Sequence, residues 1–208
     1  MLKRLFLGLF LAQVILLAQN PILISKNELP LIKQKYTSSA LLRVNDYNEH
    51  YEKWKSFSKE NQLIRINYYL NGMLGQYDAY TYKDDDYWAS PKEFLLIGKG
   101  DCEDYVSLKF FTFLSLGFSE KELFYAVVKD MYSNRYHMVL LYSFKNEFLV
   151  LDNLSSRVLP LKERVDLKFL QAFNKQGTYT FDEKGFLRKS QKREAKFTKL
   201  LKKIKQGN

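Results

Sequence analysis

Gly98-Lys-Gly-Asp-Cys-Glu-Asp-Tyr105 is the stretch on which the reading of this 208-residue chain turns. Its Gly-x-Gly breaker lets the backbone bend sharply. A helix is predicted to follow, with Val106, Phe110, Phe113 and Leu114 on one face and Gly117 as its stop. Cys102, the only cysteine, falls at the start of that helix. Unpaired backbone N–H groups and the positive dipole end favour a thiolate there. The helix is apolar enough to be central, which gives a nucleophile a rigid support. A lone cysteine taken by itself is more often a small buried hydrophobe, so the rest of the chain must decide.

Downstream, Leu123–Val128, Tyr136–Phe144 and Glu147–Leu151 are rich in Val, Leu, Tyr and Phe and read as strands. A hairpin centred on Lys145-Asn146 puts His137 opposite Leu154 and makes Asp152 its diagonal neighbour on the same face, about 7 Å away. A register shift of two would pair His137 with Asp152 directly, whereas an odd shift would send them to opposite faces. In either even register Asp152 can accept from one imidazole nitrogen while the other faces a thiol, the arrangement of nucleophile, base and orienter. Bland roles stay open for each residue alone: a structural histidine in an apolar strand and a turn-forming Asp. His50, among Asn48, Glu49 and Glu52, reads as a solvated surface residue.

Upstream, the three-and-four spacing of Tyr47, Tyr51, Trp54 and Phe57, then Leu63, Ile66, Tyr69 or Leu70 and Met73, predicts two helices between Asp46 and about Leu74. Ser58 is the expected N-cap of the second. Residues 19–45 are expected to be irregular, and Gly75–Asp86, ending in Asp84-Asp85-Asp86, a loop. Trp88–Leu96 carries a short-helix signature, with Ser90 as N-cap, Pro91 in the first turn and Glu93 three residues on.

Composition sets the outer limits. With 46% hydrophobic and 27% charged residues, 9 Gly and 4 Pro, the chain is neither disordered nor collagen-like. One Cys and two His exclude a disulfide framework and a multi-cysteine zinc or iron–sulfur site. The +10 net charge is concentrated at one end: Lys184 to Asn208 holds ten Lys/Arg against one acid, Glu194, and the other 23 basic and 22 acidic residues nearly cancel. A nucleic-acid-binding domain carries its charge on the recognition surface, so no nucleic-acid partner is expected. The tail at 184–208 is expected to be helical from Ser190, with Phe197, Leu200, Leu201 and Ile204 on one side. Such a stripe can either pack on the domain or contact an anionic membrane surface. Lys3 and Arg4, the apolar run Leu5–Ala18 and the polar stop at Gln19 and Asn20 read as a signal peptide over residues 1–18. Export to the periplasm is therefore expected. Leu16 is large for the position three before the cut, which leaves an uncleaved anchor as the alternative.

Four blocks then become specific together: Asp86-Tyr-Trp-Ala-Ser-Pro-Lys-Glu-Phe94, Gly98 to Tyr105, His137-Met-Val-Leu140 and Leu149-Val-Leu-Asp-Asn-Leu154. In order and spacing they resemble the bacterial transglutaminase-like cysteine proteinases, the LapG-type periplasmic adhesin proteases, from about Tyr47 to Asn174. The resemblance implies an α+β, papain-like/transglutaminase-like cysteine protease fold over residues 46–183, with a helical half carrying the nucleophile packed on an antiparallel sheet carrying His and Asp. It implies a catalytic triad of Cys102, His137 and Asp152. It also implies calcium at Asp101 and Glu103, with Asp104 a third candidate. Independently, carboxylates crowded around a thiol oppose its ionisation, and a divalent cation would reverse that local sign. Calcium takes about 6–8 oxygens, so carbonyls, water or Asp84–Asp86 must add to the set. The simpler alternative is that Asp101 caps the helix while Glu103 and Asp104 favour its dipole.

By the same resemblance, the substrate is a large repeat-containing surface adhesin, cut near its N-terminal retention region to release it and promote biofilm dispersal. An inner-membrane cyclic di-GMP receptor would restrain the protease. The rivals are a cell-wall peptide hydrolase or transglutaminase using the same triad, and a non-catalytic calcium-binding module in which Cys102 is structural. Tyr87 or Trp88 could line the cleft, and either fits the core equally well.

Overall fold

The computed structural model describes residues 22, 24–25, 27–145, 147–182, 187–190 and 194–206; the leader expected over 1–18 lies outside them. Helices α1 (Leu29–Lys35), α2 (Ser38–Trp54) and α3 (Lys59–Leu70) lead to the two-residue strand β1 (Leu74–Gly75) and the single turn α4 (Asp78–Thr81). Then come α5 (Pro91–Ile97), β2 (Lys99–Gly100) and α6 (Cys102–Ser115). The strands follow as β3 (Leu123–Asp130), β4 (Tyr136–Phe144), β5 (Glu147–Leu151), β6 (Leu159–Pro160), β7 (Leu167–Asn174), β8 (Gly177–Phe181) and β9 (Leu187–Ser190), before α7 (Ala195–Lys205). Among the described residues no helix is long and apolar enough to cross a membrane.

Seven strands form one antiparallel sheet in the order β6-β5-β4-β3-β7-β8-β9. Strand period 2 sorts each strand between two apolar cores. Leu123 and Tyr125 of β3 and Met138, Leu140 and Tyr142 of β4 join the helices in the main core, while Phe124, Ala126, Val128, Val139 and Leu141 form a second cluster. The chain is thus α+β, as expected, with helices laid on an antiparallel sheet. Every residue of α6 from Glu103 to Phe113 is buried, so the cysteine-bearing helix is the central one.

Three local devices aim that helix. Ser90 closes a capping box with Glu93 at the start of α5, worth about 1 kcal/mol in such helices. Gly98 ends α5 in the left-handed region at φ 77°, where Arg43 of α2 donates to the carbonyls of Leu95 and Leu96. A side chain at Gly100 would meet Asp104 Oδ2 at 2.2 Å and Phe94 at 2.9 Å, so only glycine lets the chain pass into α6.

The structure corrects four expectations. Residues 19–45 are not irregular where described: α1 and the first turns of α2 lie there, with Thr37 accepting from the Ala40 N–H as the cap. The α2 stripe runs Ala40, Val44, Tyr47, Tyr51 and Trp54, and its first two members are too small to announce a helix. The Gly75–Asp86 loop contains the α4 turn. Four strands follow Asp152 where the sequence suggested none. Finally, the tail begins with strand β9 on β8, and its helix starts only at Ala195. That helix packs on the domain: Phe197 and Leu200 are buried, and Phe197 meets the rings of Tyr125, Phe173 and Phe110.

Candidate active site

Cys102 is the first residue of α6 and is half-buried. Asp101 precedes it in extended conformation and makes no side-chain cap bond. The thiol donates to Glu103 Oε2 at 3.2 Å. Burial pushes the Cys102 thiol up, as do the charges of Glu103 and Asp101. The backbone N–H of Met138 pulls the other way, which sets the sulfur against β4 beside His137.

The β4–β5 hairpin has the register read from its turn: Leu140 pairs with Leu151, Tyr142 with Leu149 and Phe144 with Glu147. His137 and Asp152 consequently share a face as diagonal neighbours, and His137 Nε2 meets Asp152 Oδ1 at 2.8 Å. Asp152 Oδ1 also accepts from the Leu154 N–H at 2.9 Å, and Oδ2 accepts from Arg164 Nη2 at 2.8 Å. Burial opposes charge on Asp152, yet His137, Leu154 and Arg164 together hold its carboxyl well below the usual range. Beneath it, Asn71, which caps the C-terminus of α3, donates to the carbonyls of Asp152 and Ser155.

Cys102, His137, Trp88, Asp101, Glu103 and Leu154 line a single cleft of about 960 Å³. Trp88 is in the wall, while Tyr87 is occupied elsewhere, donating to Glu93 and taking Lys203 of α7 over its ring. His50 stays apart, on α2 beside Asp46 and against the Tyr69 ring.

A match to the protein-family model described as bacterial transglutaminase-like cysteine proteinase, BTLCP, spans residues 38–181. The chain belongs to this family. Solved structures of Legionella pneumophila LapG are similar to it. The calcium-bound form is 30% identical, covers 87% of this chain and 99% of its own, and has a TM-score of 0.73. The EGTA-treated form is 30% identical over 88% and 99%, with a TM-score of 0.73. No curated protein matches the chain. The fold of this cysteine proteinase is thus the LapG-like, transglutaminase-like one.

The acidic residues of the proteinase sort into two groups sharing Asp101. One is Asp101, Cys102 and Glu103; the other is Asp78, Asp101 and Asp104, whose candidate ligand atoms lie within 4.8 Å of one another. In the second group Asp78 Oδ1 and Oδ2, Asp101 Oδ1 and Asp104 Oδ2 are buried with no hydrogen-bond partner among the described residues. Buried carboxylate oxygens are rarely left so. Burial pushes all three up, Asp78 to about 7 with help from the Asp101 charge, Asp101 to about 8 with help from Glu103, and Asp104 well above its ordinary value with help from Asp78 and Asp101. Unpartnered, crowded, oxygen-only donors suit a hard divalent cation. Sequence reasoning named Asp101, Glu103 and Asp104 and looked to Asp84–Asp86 for more. The structure bonds the thiol to Glu103, which stays beside Asp101 in the first group, and adds Asp78 in the second, while Asp85 and Asp86 line the cleft. Asp78 sits in a polar, aromatic loop with no spacing rule tying it to Asp101, and β1–β2 pairing is what brings the two segments together. Arg164 was likewise missed, 12 residues beyond Asp152 and in no recognisable pattern.

Proposed function

We propose that this proteinase is a calcium-dependent periplasmic cysteine endopeptidase with the triad Cys102, His137 and Asp152. Its substrate would be the N-terminal region of a large repeat-containing surface adhesin, whose release ends attachment. One observation carries the catalytic reading: an imidazole bonded through Nε2 to a buried, ionised Asp152 lines the same cleft as a thiol at a helix start. The adhesin, periplasmic export and restraint by an inner-membrane cyclic di-GMP receptor rest on the sequence resemblance and the leader-like N-terminus.

With Nε2–H donated to Asp152, Nδ1 is the nitrogen that takes the Cys102 proton. The thiolate attacks the scissile carbonyl, and backbone N–H groups at the start of α6 face the developing oxyanion. His137 returns the proton to the leaving amine, and water then hydrolyses the thioester. Asp152 fixes the tautomer and stabilises the imidazolium. Calcium would be held by Asp78, Asp101 and Asp104, and it supplies positive charge that offsets the carboxylates beside the thiol. The calcium-bound and EGTA-treated LapG structures support this metal as the one to test.

The test is digestion of a purified adhesin N-terminal fragment. Cleavage in calcium, loss in EGTA and recovery on calcium addition are expected, with Cys102→Ala inactive at an unchanged melting temperature. Cleavage by Cys102→Ala would end the reading. Activity confined to peptidoglycan peptides or to glutamine side chains would move the protein to a rival class.

A further inference from the structure

Arg164 lies between β6 and β7, outside all the motifs that carry the family resemblance, and is 7% exposed. Its guanidinium joins two carboxylates. Nη2 reaches Asp152 Oδ2 at 2.8 Å and Asp166 Oδ2 at 2.7 Å, and Nε reaches Asp166 Oδ1 at 2.9 Å. Asp166 is itself tied down, since its carbonyl accepts from the Met131 N–H at the end of β3. Nη1 is buried with no partner among the described residues, so the recorded side-chain bonds of Arg164 all go to these two carboxylates.

The geometry points to Arg164 as a positioning residue for His137, acting through the second oxygen of Asp152; this rests on the triad reading above. His137 Nε2 and the Leu154 N–H share Oδ1, so neither stops the carboxylate plane from turning about that oxygen. Arg164 pins Oδ2, and the forked contact with Asp166 orients the guanidinium in turn. The imidazole then has one in-plane acceptor and one tautomer. Among the described residues, Lys109 of α6 also faces Asp152, but it gives its hydrogen bond to Asn67 and acts on Asp152 through charge alone. A charge without a bond to Oδ2 does not fix the plane.

The probe is iodoacetamide, because its reaction with the single cysteine needs no knowledge of the natural substrate. Alkylation of Cys102 is followed by intact mass at pH 7 in calcium for the wild-type chain and for His137→Ala, Arg164→Met, Arg164→Lys and Asp166→Asn. The expected order is wild type fastest, Arg164→Lys and Asp166→Asn intermediate, and Arg164→Met slower by about tenfold, the loss of one charged hydrogen bond. Melting temperatures identify any variant that fails to fold, and Arg164→Lys with Asp166→Asn then decide. With two histidines in the chain, the imidazole N–H of His137 can be assigned by NMR against a His50→Gln control. That signal should broaden or vanish in Arg164→Met, and a change confined to stability would leave it in place. Folded Arg164 and Asp166 variants with wild-type alkylation and an unchanged His137 signal would overturn the inference. A slowed His137→Ala in that same set would keep the triad, whereas a His137→Ala as fast as wild type would sink the triad itself.

Discussion

At the scale of single residues, buried charge decides what the site can do. Lys109 is fully buried on α6 with Asn67 Oδ1 as its acceptor at 2.7 Å, and burial pushes its ammonium down to about 7. The sign follows from proton counting. Between that value and about 10.4 the unfolded chain holds the proton and the folded one does not, so stability rises with pH in that window. Denaturant melts between pH 8 and 10 in calcium should show a slope approaching about 1.4 kcal/mol per pH unit for this group, lost in Lys109→Met. An unchanged slope would mean that other groups govern it. Gly100 offers a second test. A methyl there would press on Asp104 Oδ2, so Gly100→Ala should weaken calcium binding by calorimetry while Gly75→Ala, whose added Cβ would be in ordinary contact with the Tyr105 hydroxyl at 3.9 Å, should not. Cys102 was legible at this scale because glycines and a helix start surround it, and His137 and Asp152 because strand parity links them. Asp78, Arg164 and Lys109 were not, because each acts across a long loop closure that no local period records.

At the scale of elements, the hairpin and the nucleophile helix were readable and the sheet's other half was not. β4 and β5 announce themselves through unbroken apolar runs on either side of a two-residue turn. On the other side, β7 pairs with β3 through a register shift between Val127 and Val128, which breaks the alternation, while β8 is only five residues long and β9, at four, carries the charges of Arg188 and Lys189. The C-terminal helix was ambiguous from its pattern alone, since the same stripe suits a core or a lipid surface. In the fold the stripe is used internally. Lys203 donates to Glu93 at 2.7 Å and to the Trp88 carbonyl at 3.3 Å, tying α7 to the cleft wall. Phe197→Ala should therefore cost about 3–5 kcal/mol in stability by chemical denaturation. A loss below about 1 kcal/mol would show that α7 is only loosely docked.

At the scale of the whole molecule, an α+β body surrounds a cleft whose carboxylates suit a divalent cation. Asp78 and Asp101, raised to about 7 and about 8, favour the folded state most below about pH 4, where both states hold the protons. That contribution falls as pH rises from about 4 and is fully lost above 7 and 8, so the metal-free fold should weaken across that whole window. Calcium needs these carboxylates ionised, so its binding strengthens over the same range. The rise in melting temperature on adding calcium should be larger at pH 8.5 than at pH 5.5; equal shifts would place the cation elsewhere. The central claim is that Cys102 becomes acylated during peptide cleavage. Acid-quenched mass spectrometry of the enzyme mixed with an adhesin N-terminal fragment in calcium tests it most directly. The expected result is a transient adduct on the peptide containing Cys102, equal in mass to the N-terminal product less water and absent in EGTA. Steady cleavage with no such adduct, retained when Cys102 is replaced by alanine, would contradict it.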